Sequence, residues 1–186
     1  MVIVAGLDLR ARQDRPSGIA FFQNKNPVFV SKVYTDNEIF SLMIKYKPQI
    51  VAIDSPLSHS RGFRNVDKKM IRMGYKVLPP GWLAMKKLIS RALMIRESLM
   101  KNGITVIETH PRSSLLSSGC SLEELFSHEG IDQQFITNLS KDEIDAIIAA
   151  LTAYYYVIGD FISVKDVDGE IILLPRICSE KSYERY

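Results

Sequence analysis

Val2-Ile3-Val4-Ala5-Gly6-Leu7-Asp8 sets the first strand and, with it, the architecture. It is a short run, apolar at both alternating sets of positions, which is the pattern of a strand covered on both faces. Its apolar character stops at an acid. Gln49-Ile50-Val51-Ala52-Ile53-Asp54 repeats the pattern, and Ile104-Thr105-Val106-Ile107 runs into Glu108 in the same manner. Strand alternation puts Asp8 on the face of Gly6 and Val4, and Asp54 on the face of Ala52 and Ile50. Carboxylates converging on the rim of a dry sheet repel one another unless a proton or a cation lies between them.

Gly18 to Phe22 and Val28 to Tyr34 read as a hairpin turning between Gln23 and Pro27. Asp36 is placed to cap a helix reaching about Tyr46, and Pro48 ends it before the Asp54 strand. The stretch 55–81 is punctuated by Pro56, Gly62, Gly74, Pro79, Pro80 and Gly81, with a short basic helix near Asn65 to Met73. Trp82 to Lys101 reads as an amphipathic helix closed by Asn102-Gly103, with Trp82 expected in the core in preference to stacking on a base. After the Glu108 strand come Pro111, a serine-rich linker and a short helix at Leu122 to Ser127. Ser140 and Glu143 form a capping box for a helix reaching about Ile158, and Ile162 to Val164 and Glu170 to Leu174 form a terminal hairpin.

Strands that give way to strands interleaved with helices indicate an α/β domain. The first three strands pair antiparallel and the later ones need helical crossovers, so a five-stranded mixed sheet flanked by helices is expected. The 186 residues, 46% of them hydrophobic, suit one domain spanning 1–186. Within it, 55–81 reads as a basic insertion and the tail from about 178 as loose. Cys120 and Cys178 have neither zinc-ligand spacing nor a CxxC pattern. They neither require nor exclude a disulfide, and reduced thiols in a cytoplasmic protein are the expectation. No leader and no bilayer-length apolar run is present in the sequence, so no membrane association is expected.

The net charge of +3 conceals an asymmetry. Eleven cations lie between Arg61 and Lys101, opposed there only by Asp67 and Glu97, so that stretch carries +9 and the remainder −6. A basic middle fits a polyanionic partner, which points to nucleic acid, DNA or RNA, and leaves oligomeric state open.

Lys141-Asp142-Glu143-Ile144-Asp145 opens the last long helix. Asp142 and Asp145, three apart, share a helical face, and Asp145 stands among otherwise apolar neighbours. The acidic set Asp8, Asp54, Glu108, Asp142 and Asp145 is therefore the candidate catalytic constellation, with Asp8, Asp54 and Asp145 as metal ligands. Oxygen-only donors select a hard ion, Mg²⁺ or Mn²⁺. Two such ions can clamp an in-line phosphodiester attack. His59, His110 and His128 show no ligand spacing; His110 reads as a contact to the scissile phosphate or, in preference, as a surface residue.

In order along the chain, Gly6-Leu7-Asp8-Leu9, Ala52-Ile53-Asp54-Ser55-Pro56-Leu57, Ile107-Glu108-Thr109-His110-Pro111 and Asp142-Glu143-Ile144-Asp145-Ala146 resemble the family called domain of unknown function 429. Arg61-Gly62-Phe63-Arg64-Asn65-Val66-Asp67 resembles that family's central Arg/Asp motif. The resemblance implies an RNase H-like fold with Asp8 on the first strand, Asp54 on the fourth and Asp145 on the final helix. It further implies a predicted nuclease, similar in arrangement to Holliday-junction resolvases. The glutamate that ribonucleases H carry in their first helix has only Glu38 as a counterpart, at a helix start where the dipole explains it. A substrate loop would place Arg64 on phosphate, with Asp67 orienting it or joining the metal shell, and Lys68, Lys69 and Arg72 as further substrate contacts; the plainer reading has Asp67 starting the short helix and pairing with Arg64 at the surface. Two other readings share this core. One is a nucleic-acid-binding module without chemistry. The other is a sugar-kinase or actin-like phosphotransferase, which lacks support because Leu9-Arg10-Ala11 and Ser55-Pro56-Leu57 offer no glycine cradle for phosphate.

Overall fold

The computed structural model describes residues 1–179, apart from the side chains of residues 133 and 134. Strands β1 (Ile3–Asp8), β2 (Ser17–Gln23) and β3 (Asn26–Val33) are followed by α1 (Asp36–Tyr46) and β4 (Ile50–Asp54). Next come α2 (Asn65–Arg72), α3 (Leu83–Lys101) and β5 (Thr105–Thr109), then α4 (Pro111–Ser118), α5 (Leu122–His128) and α6 (Gln133–Ile136). Helix α7 (Lys141–Ile158) leads into the hairpin β6 (Ile162–Asp166) and β7 (Gly169–Leu173).

The sheet has seven strands, not five, in the order β3-β2-β1-β4-β5-β7-β6. The terminal hairpin expected from the sequence joins the edge, β7 running parallel to β5 through Glu108↔Ile171 and Thr109↔Ile172. As expected, the first three strands are antiparallel while β4 lies parallel to both β1 and β5.

One face carries Val4, Ala20, Ile50 and Ala52 against α7, and the other carries Leu7, Ile19, Val51 and Ile53 against α1 and α3. The α7 side is unusually close. A Cβ at Gly6 would stand 2.0 Å from the carbonyl oxygen of Ala146, and one at Gly18 would stand 1.9 Å from that of Asp142. Only glycine admits the helix backbone there, so the space beside Gly6 belongs to α7. Ala146, Ala149, Ala150 and Ala153, all buried, complete the contact. Asp142 and Asp145 are thereby carried to the end of β1.

Two further differences from the sequence reading have physical causes. Residues 111–118, read as a linker because of their serines, form α4 after Pro111 at its first position. Their hydroxyls are buried but satisfied: Ser117 donates to the carbonyls of Ser114 and Leu174, and Thr152 on α7 donates to Ser114. Cys120 and Cys178, expected as thiols, form a disulfide. Ile177 and Cys178 also donate their N–H groups to Ser118 O at 2.9 and 3.0 Å, so the chain is tied down at 178. The rest of the tail, 180–186, lies outside the described residues. Within 55–81, α2 packs Val66 and Met70 onto Val164, Ile171 and Leu173 of the terminal hairpin. Among the described residues, no helix is long and apolar enough to cross a membrane.

Candidate active site

Strand register builds the site. Gly6↔Ala52 and Leu7↔Ile53 pair across β1 and β4, so the next residues, Asp8 and Asp54, stand level on the face that α7 covers. The capping box that starts α7, Ser140 N–H to Glu143 Oε2 at 2.9 Å, fixes the helix so that Asp145 faces the same rim. Asp8, Asp54 and Asp145 line one open cleft of about 330 Å³ together with Arg10, His110 and Lys141. Its other wall is apolar: Val77, Leu78, Met85 and Leu88.

The five predicted acids divide into two groups. Among the described residues, neither Asp8 nor Asp54 has a hydrogen-bond or ion-pair partner for its carboxylate. Burial pushes the Asp8 carboxyl up to about 7; Arg10 pulls against this, while Asp145 and Asp142 reinforce it. Asp54 is pushed well above the ordinary carboxylate range, first by burial and then by Asp8, Asp145 and Glu108. Asp145 is raised by burial too, opposed by Lys141, whose ammonium lies 3.6 Å away. By contrast, Asp142 is taken by Arg10.

Glu108 lines the same cleft, together with Arg64 and Asp67, but its side chain leaves the opposite face of the sheet from Asp8 and Asp54. Its register partner on β4 is Ile53, not Asp54, and residues paired in a parallel ladder share a face. Its carboxylate accepts from Arg64 at 2.5 and 2.9 Å and from the Leu57 N–H at 2.8 Å. The same guanidinium binds Asp67 at 2.7 Å, and Asp67 accepts from the Arg64 N–H at 2.8 Å. Arg64 and Asp67 are each 2% exposed, so this is a buried ion triad and not a surface pair. Burial works against the charge of Arg64, yet its bonds to Glu108 and Asp67 hold it above its ordinary value. Of the other predicted phosphate contacts, Lys68 and Arg72 are exposed, whereas Lys69 is held by Asp166 at 2.9 Å and by Lys165 O at 2.7 Å.

His110 stands in the cleft, the less favoured of its two sequence readings, and not at the open surface. It lines the cleft, accepts or donates at 2.6 Å to Ser113, and burial lowers its pKa to about 4, helped by Arg112. Its position two residues past Glu108 on the same strand end is the signal that could have found it. Nothing in the sequence singles out Arg91. It is buried and clamps Asp36, the Arg10 carbonyl and the Tyr34 carbonyl, which anchors the loop carrying Arg10. Glu38, the first-helix acid, accepts from the Tyr34 and Thr35 N–H groups and so caps α1.

Among the described residues, no three His, Cys, Asp or Glu side chains are arranged to hold a metal ion as they stand. The donor set nevertheless fits a hard cation in chemistry. Asp8 and Asp54 offer partnerless carboxylate oxygens in a site where their own charges destabilise each other.

Among solved structures, the chain is similar to RuvC of T. thermophilus, determined in complex with a Holliday junction substrate. The TM-score is 0.53 at 14% sequence identity, over 86% of this chain and 97% of that one. The chain has an RNase H-like fold. No family model matches it, and no curated protein does either.

Proposed function

We propose that this chain is a metal-dependent nuclease of the family that its ordered motifs resemble, acting through Asp8, Asp54 and Asp145. The observation that carries the reading is the pair of partnerless carboxylates at adjacent strand ends, Asp8 and Asp54, in a cleft that also receives Asp145. Structural proteins neutralise such groups, and here Arg10, Arg64 and Arg91 form ion pairs with other acids, while among the described residues Asp8 and Asp54 have none. The likeness to a protein solved with a Holliday junction supports a nucleic-acid substrate.

The three aspartates would hold Mg²⁺ or Mn²⁺, with Asp8 as the central ligand. A divalent ion bound by carboxylates supplies an activated water and stabilises the leaving oxygen of a phosphodiester. The chain's own groups do the rest. Arg10 and Lys141 at the rim balance phosphate charge, and exposed Lys68 and Arg72 extend that field along a strand. The Arg64–Asp67–Glu108 triad holds the loop after Asp54 against the sheet, fixing the cleft's wall. His110, neutral at working pH, offers a ring nitrogen to a proton or a phosphate oxygen.

Labelled single-stranded, duplex and branched oligonucleotides incubated with Mn²⁺ test this. Cleavage is expected from the native chain and is lost in Asp8→Asn and Asp54→Asn. Equal cutting by both variants would overturn the mechanism. A second reading, a nucleic-acid-binding module on the same fold, is favoured by the lack of a ready-made metal arrangement among the described residues. It predicts salt-sensitive binding without turnover under any divalent ion.

A further inference from the structure

The N-terminal turn of α3 has an outer side that the site described above does not use. Its inner residues, Met85 and Leu88, face the cleft. Its outer residues include Trp82, 57% exposed, and Leu83, 74% exposed. Leu78 lines the cleft and is still 57% exposed, which joins the inner and outer surfaces at one rim. Helical spacing sets Lys86 above Trp82 and Lys87 above Leu83, each four residues on. Gly81 packs on the Arg61–Gly62 backbone so tightly that a Cβ there would stand 2.1 Å from Arg61 O. This draws Arg61 and the part-exposed Phe63 to the same rim. Among the described residues, Arg61, Lys76, Lys86 and Lys87 have no ion-pair partner.

An indole left in water among unpaired cations, beside a cleft of carboxylates, suits an occupant with flat apolar faces and a negative backbone. We infer that this rim binds an unpaired stretch of nucleic acid, a base stacking on Trp82 while Arg61, Lys86 and Lys87 follow the flanking phosphates. The inference rests on the nuclease reading for its direction, since it delivers the strand to Asp8 and Asp54. A duplex keeps its base faces stacked inside, so only a single-stranded or opened segment offers what Trp82 can use. A second copy of the chain would bring the same positive segment against itself in a symmetric contact, which charge opposes. A membrane surface would use the cations and the tryptophan but would gain nothing from an adjoining acidic cleft.

Trp82 is the chain's only tryptophan, so its fluorescence reports on this rim alone. The experiment titrates the full chain, in EDTA, with a short oligothymidylate, with a duplex of equal length, and with anionic phospholipid vesicles. Quenching by the single strand, much weaker for the duplex and relieved by salt, is the expected result. In a binding assay that uses a labelled strand, Trp82→Ala should weaken affinity on the order of 10- to 100-fold, with Trp82→Phe retaining most of it. Lys86→Glu with Lys87→Glu should lower the salt slope by about 0.7 for each phosphate left without its cation. Trp82 is exposed, so these variants fold. The inference is overturned if single strands leave the fluorescence unchanged, or if Trp82→Ala binds as tightly as the native chain. It is also overturned if only vesicles respond, or if the response follows self-association in sedimentation. Failure of the nuclease reading looks different: no cleavage with Mn²⁺, but the quenching intact in native chain and Asp8→Asn alike.

Discussion

At the scale of single residues, the contrast between Asp8 and Glu108 is instructive. Both end apolar strands, and the sequence treats them alike. Parity separates them: Glu108 is level with Ile53, so it turns to the face where Arg64 waits, while Asp8 and Asp54 turn to α7. That distinction depends on register, which one strand's residues do not encode. It yields two predictions of opposite sign. Arg64→Ala strands two buried carboxylates, so it should cost about 3–5 kcal/mol in chemical denaturation, and a loss below about 1 kcal/mol would mean the triad is not what holds the loop. Asp8→Asn should instead stabilise the metal-free protein. The folded Asp8 carboxyl sits at about 7 against an ordinary 3.8. Between those values the native state keeps a proton that the unfolded chain has released, so stability falls as pH rises through the window. Asparagine removes that loss. In EDTA the variant should match the native chain near the acid end of the window and melt at a higher temperature above it. A melting difference that does not change with pH would contradict the assignment.

At the scale of elements, most of the architecture is legible where local chemistry and global position agree. The capping box at Ser140 and Glu143 starts α7 where the sequence places it, and the acid-ended runs are β1, β4 and β5. Elements become illegible where a residue's usual meaning is overridden by its neighbours. The serines of α4 look like linker until α7 and Leu174 engage their hydroxyls, and the partnership of Cys120 with Cys178 spans 58 residues. Trp82, expected in the core, stands in solvent because Met85, Leu88 and Ile89 supply the inner side of α3. One of the two tightest glycine contacts with α7 is also one on which the site depends. Gly6 lets the α7 backbone lie directly on β1, so Gly6→Ala must push the helix away. Overpacking against backbone costs about 1–3 kcal/mol, and the upper end applies here because no flexible side chain can yield. Circular dichroism melts measure that loss. Cleavage should fall further than folding does, because the displaced helix carries Asp145. Gly6→Ala with native stability and native activity would show that α7 does not set the position of the acids.

At the scale of the whole molecule, the fold and the charge distribution describe one device. The sheet gathers strand ends at a single rim, α7 closes over them, and the basic segment from Arg61 to Lys101 supplies the loop, the wall and the outer face of the cleft. The acids that repel one another there lower the stability of the metal-free chain, and a cation that relieves them must therefore stabilise the folded state by linkage. For a site occupied at one hundred times its dissociation constant the gain is about 2.7 kcal/mol. In a domain of this size about 1 kcal/mol moves the melting point by about 2–4 °C, so saturating Mn²⁺ should raise it by roughly 5–11 °C. The rise should vanish in Asp8→Asn and Asp54→Asn, shrink in Asp145→Asn, and persist in Arg72→Glu, whose side chain lies outside the cleft. Calcium, larger and content with irregular oxygen shells, should stabilise the fold without supporting cleavage. Were the shift the same in the aspartate variants as in the native chain, the ion would be binding elsewhere. The partnerless carboxylates would then be serving some purpose other than holding metal.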